Sequence, residues 1–148
     1  MKRNLIIIVC LILAGVALFF NWFIINKNTI KDVQAFNNEY LYYLDGSISG
    51  VDLTTIINKA IDNNEKYKIP KKENSAYIAN NENSIEILIK VEPDGKFYLM
   101  EAFELAGMTS FTTLYGGLKF ECTKKEYHEN GRISKLVFEI VENKTEEN

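Results

Sequence analysis

Between Leu5 and Ile25 the chain runs for 21 residues with 19 apolar members, no charge, and only Gly15 and Asn21 as exceptions. At a helical rise of about 1.5 Å per residue this block is about 31 Å long, which matches a hydrocarbon core of about 30 Å. One transmembrane helix is the expectation. The 123 residues from Asn26 to Asn148 are enough for one small core and exclude a multidomain enzyme.

Charge is distributed unevenly about this block. Lys2 and Arg3 precede it, whereas all 20 acidic residues follow it, so the remainder carries 15 basic against 20 acidic residues and a net charge of −5. By the positive-inside bias the N-terminus is expected in the cytoplasm and the domain outside, with Trp22 at the outer headgroup level. An acidic remainder lacks the basic stripe that neutralises phosphates, so nucleic acid is not an expected partner.

Other fates of the apolar block are less consistent with its residues. Signal cleavage at Gly15-Val16-Ala17 would leave a mature terminus beginning Leu18-Phe19-Phe20, a greasy end for a secreted domain. Val9 before Cys10 is too large for a lipoprotein signal. A type IV pilin has a similar layout, but its leader ends in Gly and a Glu follows inside the apolar stretch; here neither residue occurs. The block is therefore read as an uncleaved signal-anchor. Within it Cys10, Ala14, Ala17 and Asn21 recur at steps of 4, 3 and 4 and form one stripe of a helix, a possible packing face for a second span.

Beyond the block the helical period continues through Ile30, Val33, Phe36, Tyr40 and Leu44, so residues 26–45 are expected to form a juxtamembrane helix ended by Asp45-Gly46-Ser47. Ser49-Gly50 approaches a second, short amphipathic helix with Leu53, Ile56 or Ile57, Ala60 and Ile61 on its apolar side, stopped by Asn63-Asn64. After Pro70 the period becomes two. Ala76 to Ala79 and Ile85 to Val91 are read as a hairpin about the turn Asn80 to Asn83, Phe97 to Met100 as a short strand or extended approach, and Glu101 to Gly107 with Thr109 to Tyr115 as short helices or one broken helix ending at Gly116-Gly117. Leu118 to His128 and Ile133 to Val141 flank Asn130-Gly131, a tight-turn dipeptide, and are expected to pair centrally. The fold expected is thus α+β: leader 1–4, transmembrane helix 5–25, juxtamembrane helix 26–45, and an extracytoplasmic domain 46–141 in which the short helix packs on a small antiparallel sheet. The polar tail 142–148 is expected to fray.

The segments Phe36 to Tyr40, Gly50-Val51-Asp52-Leu53, Ile57 to Asn64, Ser84-Ile85, Phe120-Glu121-Cys122-Thr123 and Glu126-Tyr127-His128 resemble a group of uncharacterised single-span proteins from low-GC Gram-positive bacteria. The resemblance spans most of the chain. It implies class and location, and brings no activity, catalytic residue or cofactor.

Residue by residue, no catalytic, cofactor-binding or metal-ligating set is expected. His128 is the single histidine and reads as a solvated hairpin side chain. Cys122 reads as a small buried hydrophobe, and Cys10 in the span is out of its reach for a disulfide. Glu101 and Glu104 read as solvent charges on one helical face. Gly50 and Asp52 read as a helix start. Asn143-Lys144-Thr145 is a sequon in form only. The expectation is a membrane-anchored, non-catalytic module of a cell-envelope assembly, with a protein partner or self-association; the alternative is a tethered ligand-binding or enzymatic domain.

Overall fold

The structure, a computed structural model, describes residues 2–141; the tail 142–148, with its sequon, lies outside the described residues. Its elements are α1 (Lys2–Leu41), β1 (Ser47–Ser49), α2 (Gly50–Lys66), β2 (Glu86–Lys90), β3 (Phe97–Leu99), α3 (Met100–Ala106), α4 (Met108–Tyr115), β4 (Lys119–Tyr127) and β5 (Ile133–Ile140). The chain divides into two compact units, Met1–Ala35 and Phe36–Asn148; the second is called the head below.

In the first unit every described side chain from Ile7 to Asp32 is exposed. Between Cys10 and Leu41 the helix is long and apolar enough to cross a membrane. Two polar side chains bond back to their own helix: Asn21 Nδ2 donates to the Ala17 carbonyl at 3.2 Å and Thr29 Oγ1 to that of Ile25 at 3.0 Å.

The head is built on a five-stranded sheet of order β1-β4-β5-β2-β3. β1/β4, β4/β5 and β2/β3 are antiparallel, while β2 runs parallel to β5, with Ile87 opposite Leu136 and Ile89 opposite Phe138. The sheet is therefore mixed rather than all antiparallel. The reason lies in the expected partner of β2: Ala76 to Ala79 forms no strand, and this stretch makes one isolated bridge, Lys71 with Tyr77. β2 instead pairs forward with β3 and uses its other edge for the C-terminal strand. The alternation of Ile85, Ile87, Ile89 and Val91 is kept, all four being buried.

α2 begins with a capping box. Ser49 Oγ accepts from the Asp52 N–H at 3.1 Å, and Asp52 Oδ2 accepts from the Ser49 N–H at 3.3 Å. Its residues Leu53, Ile56, Ile57, Ala60 and Ile61 are buried, a spacing that turns one side of the helix onto the sheet. They meet Ile87, Ile89, Phe120, Leu136 and Phe138 in one core, to which each fully buried aliphatic or aromatic side chain contributes about 1.5–3 kcal/mol. The start of α2 and the end of α4 touch closely at Gly50, where a Cβ would stand 2.0 Å from the Tyr115 carbonyl oxygen.

Two boundaries differ from expectation. α1 ends at Leu41, short of Asp45, and Leu44 packs against the core from the following turn. α2 does not stop at Asn63-Asn64 but runs to Lys66, because those two amides bond to other segments and not to their own backbone. It closes with Lys68 at φ +52° and the Ile69 N–H donating to the Asn64 carbonyl at 2.8 Å. The β4–β5 connection is a three-residue loop: the His128 carbonyl accepts from the Gly131 N–H at 2.9 Å, the Arg132 carbonyl from the His128 N–H at 2.8 Å, and Gly131 alone takes positive φ (+84°). The dipeptide thus closes a bulged loop, not a two-residue turn.

Candidate functional site

Four segments far apart in the sequence are joined by asparagines: the end of α1, the end of α2, the loop 80–85 and the hairpin loop 128–132. Asn37 donates through Nδ2 to the Gly131 carbonyl at 2.8 Å and accepts the Ile133 N–H at 2.9 Å. Asn64, fully buried, does the same to a single residue, giving to the Ile85 carbonyl and taking from the Ile85 N–H, both at 2.8 Å. Each amide reproduces the donor and acceptor of a neighbouring strand, so backbone groups that run past the sheet are still paired.

The loop 80–85 is organised from within and held from outside. Asn80 Oδ1 accepts the N–H groups of Glu82, Asn83 and Ser84 at 2.8–3.0 Å. The carbonyls of Glu82, Asn83 and Ser84 are then taken by Asn130, Asn63 and His128 at 2.9, 2.7 and 2.7 Å. Because a carbonyl can only accept, His128 carries its proton on Nε2 here. The histidine expected in solvent is a half-buried clamp between the hairpin and this loop.

At the centre lies Arg132. Its side chain is 9% exposed, its guanidinium carbon is 3.6 Å from the Phe36 ring centre and 5.0 Å from that of Tyr67, and Nη2 donates to Asn63 Oδ1 at 3.1 Å. Among the described residues no carboxylate pairs with it, and Nε has no partner. The charge is carried by two aromatic faces and an amide. The residue was not singled out from the sequence, although one signal was present: with two arginines against fifteen lysines, an arginine directly after Asn130-Gly131 marks a place where a flat, multidentate cation was required.

Grooves open on the head: one of about 290 Å³ is lined by Phe36, Glu39, Tyr40, Lys59, Asp62 and Lys66, one of about 250 Å³ by Asn80, Glu86, Glu126, His128, Ser134 and Lys135, and one of about 580 Å³ by Tyr42, Tyr43, Asp45, Ser47, Asp52 and Lys119. Part of their charged lining is paired, Lys59 with Glu39 at 3.3 Å, Lys135 with Glu86, and Lys124 with Glu126 at 2.6 Å, whereas Asp62, Lys66, Asp45 and Lys119 are in no ion pair among the described residues. Burial raises the Tyr40 hydroxyl above its ordinary value, with the Glu39 charge adding to this and Arg132 opposing it. The hydrogen bond from Lys124 holds Glu126 below the usual carboxylate range.

The remaining sequence candidates are scattered. Cys10, Ala14, Ala17 and Asn21 lie exposed along α1. Cys122 is half-buried on β4 against the core, and burial pushes its thiol up. Glu101 is a correction: at 4% exposure it is no solvent charge, since α3 turns it inward, where Oε1 accepts the Tyr77 N–H at 2.9 Å. Glu104 is bound by Lys71 at 3.2 Å. Gly50 and Asp52 form the helix start described above. Among the described residues no three His, Cys, Asp or Glu side chains converge as metal ligands do.

Compared with protein-family models, curated proteins and solved structures, the chain matches none.

Proposed function

We propose that the protein is a membrane-anchored, extracytoplasmic, non-catalytic module whose head is a binding surface for a protein of a cell-envelope assembly. The observation that carries this reading is how the polar side chains of the head are used. Asn37, Asn63, Asn64, Asn80, Asn130 and His128 each bond to backbone of another segment or of their own loop, so these side chains hold shape. A rigid surface of this kind suits recognition, in which preorganisation lowers the cost of association. The placement rests on the helix Cys10–Leu41 and on Lys2 and Arg3 lying at its N-terminal side. The small-residue stripe of Cys10, Ala14, Ala17 and Asn21 serves in this reading as the face by which the span packs on another span.

The test is topological and biochemical together. Protease added to intact, wall-stripped cells should remove a C-terminal tag while the N-terminus stays protected, and chemical cross-linking in the same cells should trap a protein partner on the head. A protected tag, or a mature protein beginning near Leu18, would overturn the placement. Substrate turnover by the purified full-length protein would overturn the non-catalytic reading.

A further inference from the structure

One carboxylate of the head is buried without a counter-charge. Glu101, at 4% exposure, spends Oε1 on the Tyr77 N–H at 2.9 Å, while Oε2, withdrawn from solvent, has no hydrogen-bond partner among the described residues. The lysines of the adjoining segments are bound elsewhere. Lys71 gives its ammonium to Glu104 at 3.2 Å and lies 4.4 Å from the centre of the Tyr77 ring, and Lys135 pairs with Glu86. An ionised group taken out of water in this way costs folding energy unless a counter-charge comes with it.

The same carboxylate borders a cavity of about 10 Å³, lined by Tyr77, Ala79, Ser84, Ile85, Glu86 and Glu101 and sized for one water-sized particle. Backbone geometry adds a second oxygen. The Ile78 N–H donates to the Pro70 carbonyl at 2.7 Å and the Lys72 N–H to that of Ala76 at 2.8 Å, on either side of the Lys71–Tyr77 bridge. Tyr77 is therefore in a non-hydrogen-bonded pair with Lys71 and turns its own N–H and C=O to the opposite edge. On that edge the N–H meets Glu101, and the C=O has no donor among the described residues.

We infer that this cavity binds one dehydrated monovalent cation, sodium, potassium or ammonium, between Glu101 Oε2 and the Tyr77 carbonyl. One unbalanced charge calls for one charge in return. A divalent ion needs a second free carboxylate, but Glu86 is held by Lys135, and among the described residues no three His, Cys, Asp or Glu side chains converge. A water molecule in the cavity bridges the two oxygens and leaves the charge unbalanced. The bound cation ties the connection between α2 and β2, through Tyr77, to α3, and so steadies the approach to the loop 80–85.

The experiment follows hydrogen exchange at the Tyr77 amide of the full-length protein in detergent, in sodium, potassium, ammonium or N-methylglucamine chloride at one ionic strength. A cation present at about ten times its dissociation constant should slow that exchange about tenfold relative to N-methylglucamine, which is too large for the cavity. Glu101→Gln keeps an oxygen for the Tyr77 N–H, brings an N–H for the Tyr77 carbonyl and removes the charge. Its exchange at Tyr77 should be the same in all four salts, whereas Glu129→Gln on the hairpin loop should respond as the parent does. Equal exchange of the parent in the four salts overturns the site and leaves the cavity to water. A response that persists in Glu101→Gln, or a larger one with calcium or magnesium, overturns it as well. Where Glu101→Gln fails to fold, the parent alone decides: slowing confined to Tyr77 and its neighbours supports the site, and slowing spread equally over β4 and β5 is a general salt effect that overturns it.

Discussion

Arg132 stacks its guanidinium on Phe36 at 3.6 Å, and with that contact the loop of the β4–β5 hairpin is held to the last turns of α1. The geometry demands a flat cation with several donors. Arg132→Lys is expected to destabilise the head by about 1–3 kcal/mol, because an ammonium keeps the buried charge but loses the planar stacking and the reach to Asn63. Arg132→Met removes the charge together with its desolvation cost and should be the milder change. Denaturant unfolding of the full-length protein in detergent, followed by tryptophan-independent near-ultraviolet dichroism of the tyrosines, ranks the two; a lysine variant as stable as the parent refutes the stacking argument.

Asn64 is the most completely buried of the asparagines that bind other segments; it bonds twice to Ile85, and its Oδ1 also accepts from Asn63 Nδ2 at 3.4 Å. Asn64→Leu has similar volume and leaves a buried N–H and a buried C=O unpaired at once, for an expected cost of about 2–5 kcal/mol. Amide hydrogen exchange should report it locally, with protection lost first at Ile85. Unchanged exchange at that amide would mean that the two bonds contribute little.

Tyr40 links stability to alkaline pH. Burial holds its hydroxyl above the ordinary value, so the folded head keeps a proton that the unfolded chain releases above about pH 10. Unfolding in that range releases a proton, and stability falls with rising pH by at most about 1.4 kcal/mol per unit. Below about pH 10 the contribution is constant. Tyr40→Phe should flatten the fall in melting temperature without abolishing it, since burial raises the Tyr77 hydroxyl as well. An unaltered alkaline limb would sink this assignment.

On the span, Ala14→Leu or Ala17→Leu should weaken self-association in a membrane two-hybrid assay, and bulk at Ile12 or Val16 should have little effect. Contacts of this kind are worth about 1 kcal/mol each, so a partial loss is expected. Cys10 should cross-link in oxidised membranes, with Cys122 unreacted because burial pushes its thiol up. Equal signals from all four variants would make Asn21 a plain headgroup-level amide.

The parts of this fold that were legible in the sequence are those set by local periodicity and capping. The alternation from Ile85 to Val91, the apolar side of α2 and the pair Leu118 to His128 with Ile133 to Val141 all appear within a few residues of expectation. What was not legible depends on contacts between distant segments. Ala76 to Ala79 has the composition of a strand, but β2 finds a better neighbour in β5, whose residues pair with it 49 positions later, and no local signal announces a parallel pairing. Asn63, Asn64 and His128 have turn-like or solvent-like identities, and their roles arise only once the loop 80–85 is brought to them. Glu101 was misread for a similar reason: the side of α3 that faces the core depends on where Tyr77 lies.

The position of β5 in the strand order also governs when the head can come into being. Among the described elements β5 is the last in the chain, and it stands between β4 and β2, so within the sheet the β2/β3 hairpin and the β1/β4 pair are not joined until Ile133 to Ile140 is available. At a synthesis rate of about 5–20 residues per second, the apolar strand Glu86–Lys90 waits some seconds for its partner. During that interval the nascent head is an open chain with a long-range closure still to make, a state that stays threadable and sensitive to capture. A stop codon or nick before Ile133 therefore removes the keystone of the whole sheet, not its final edge.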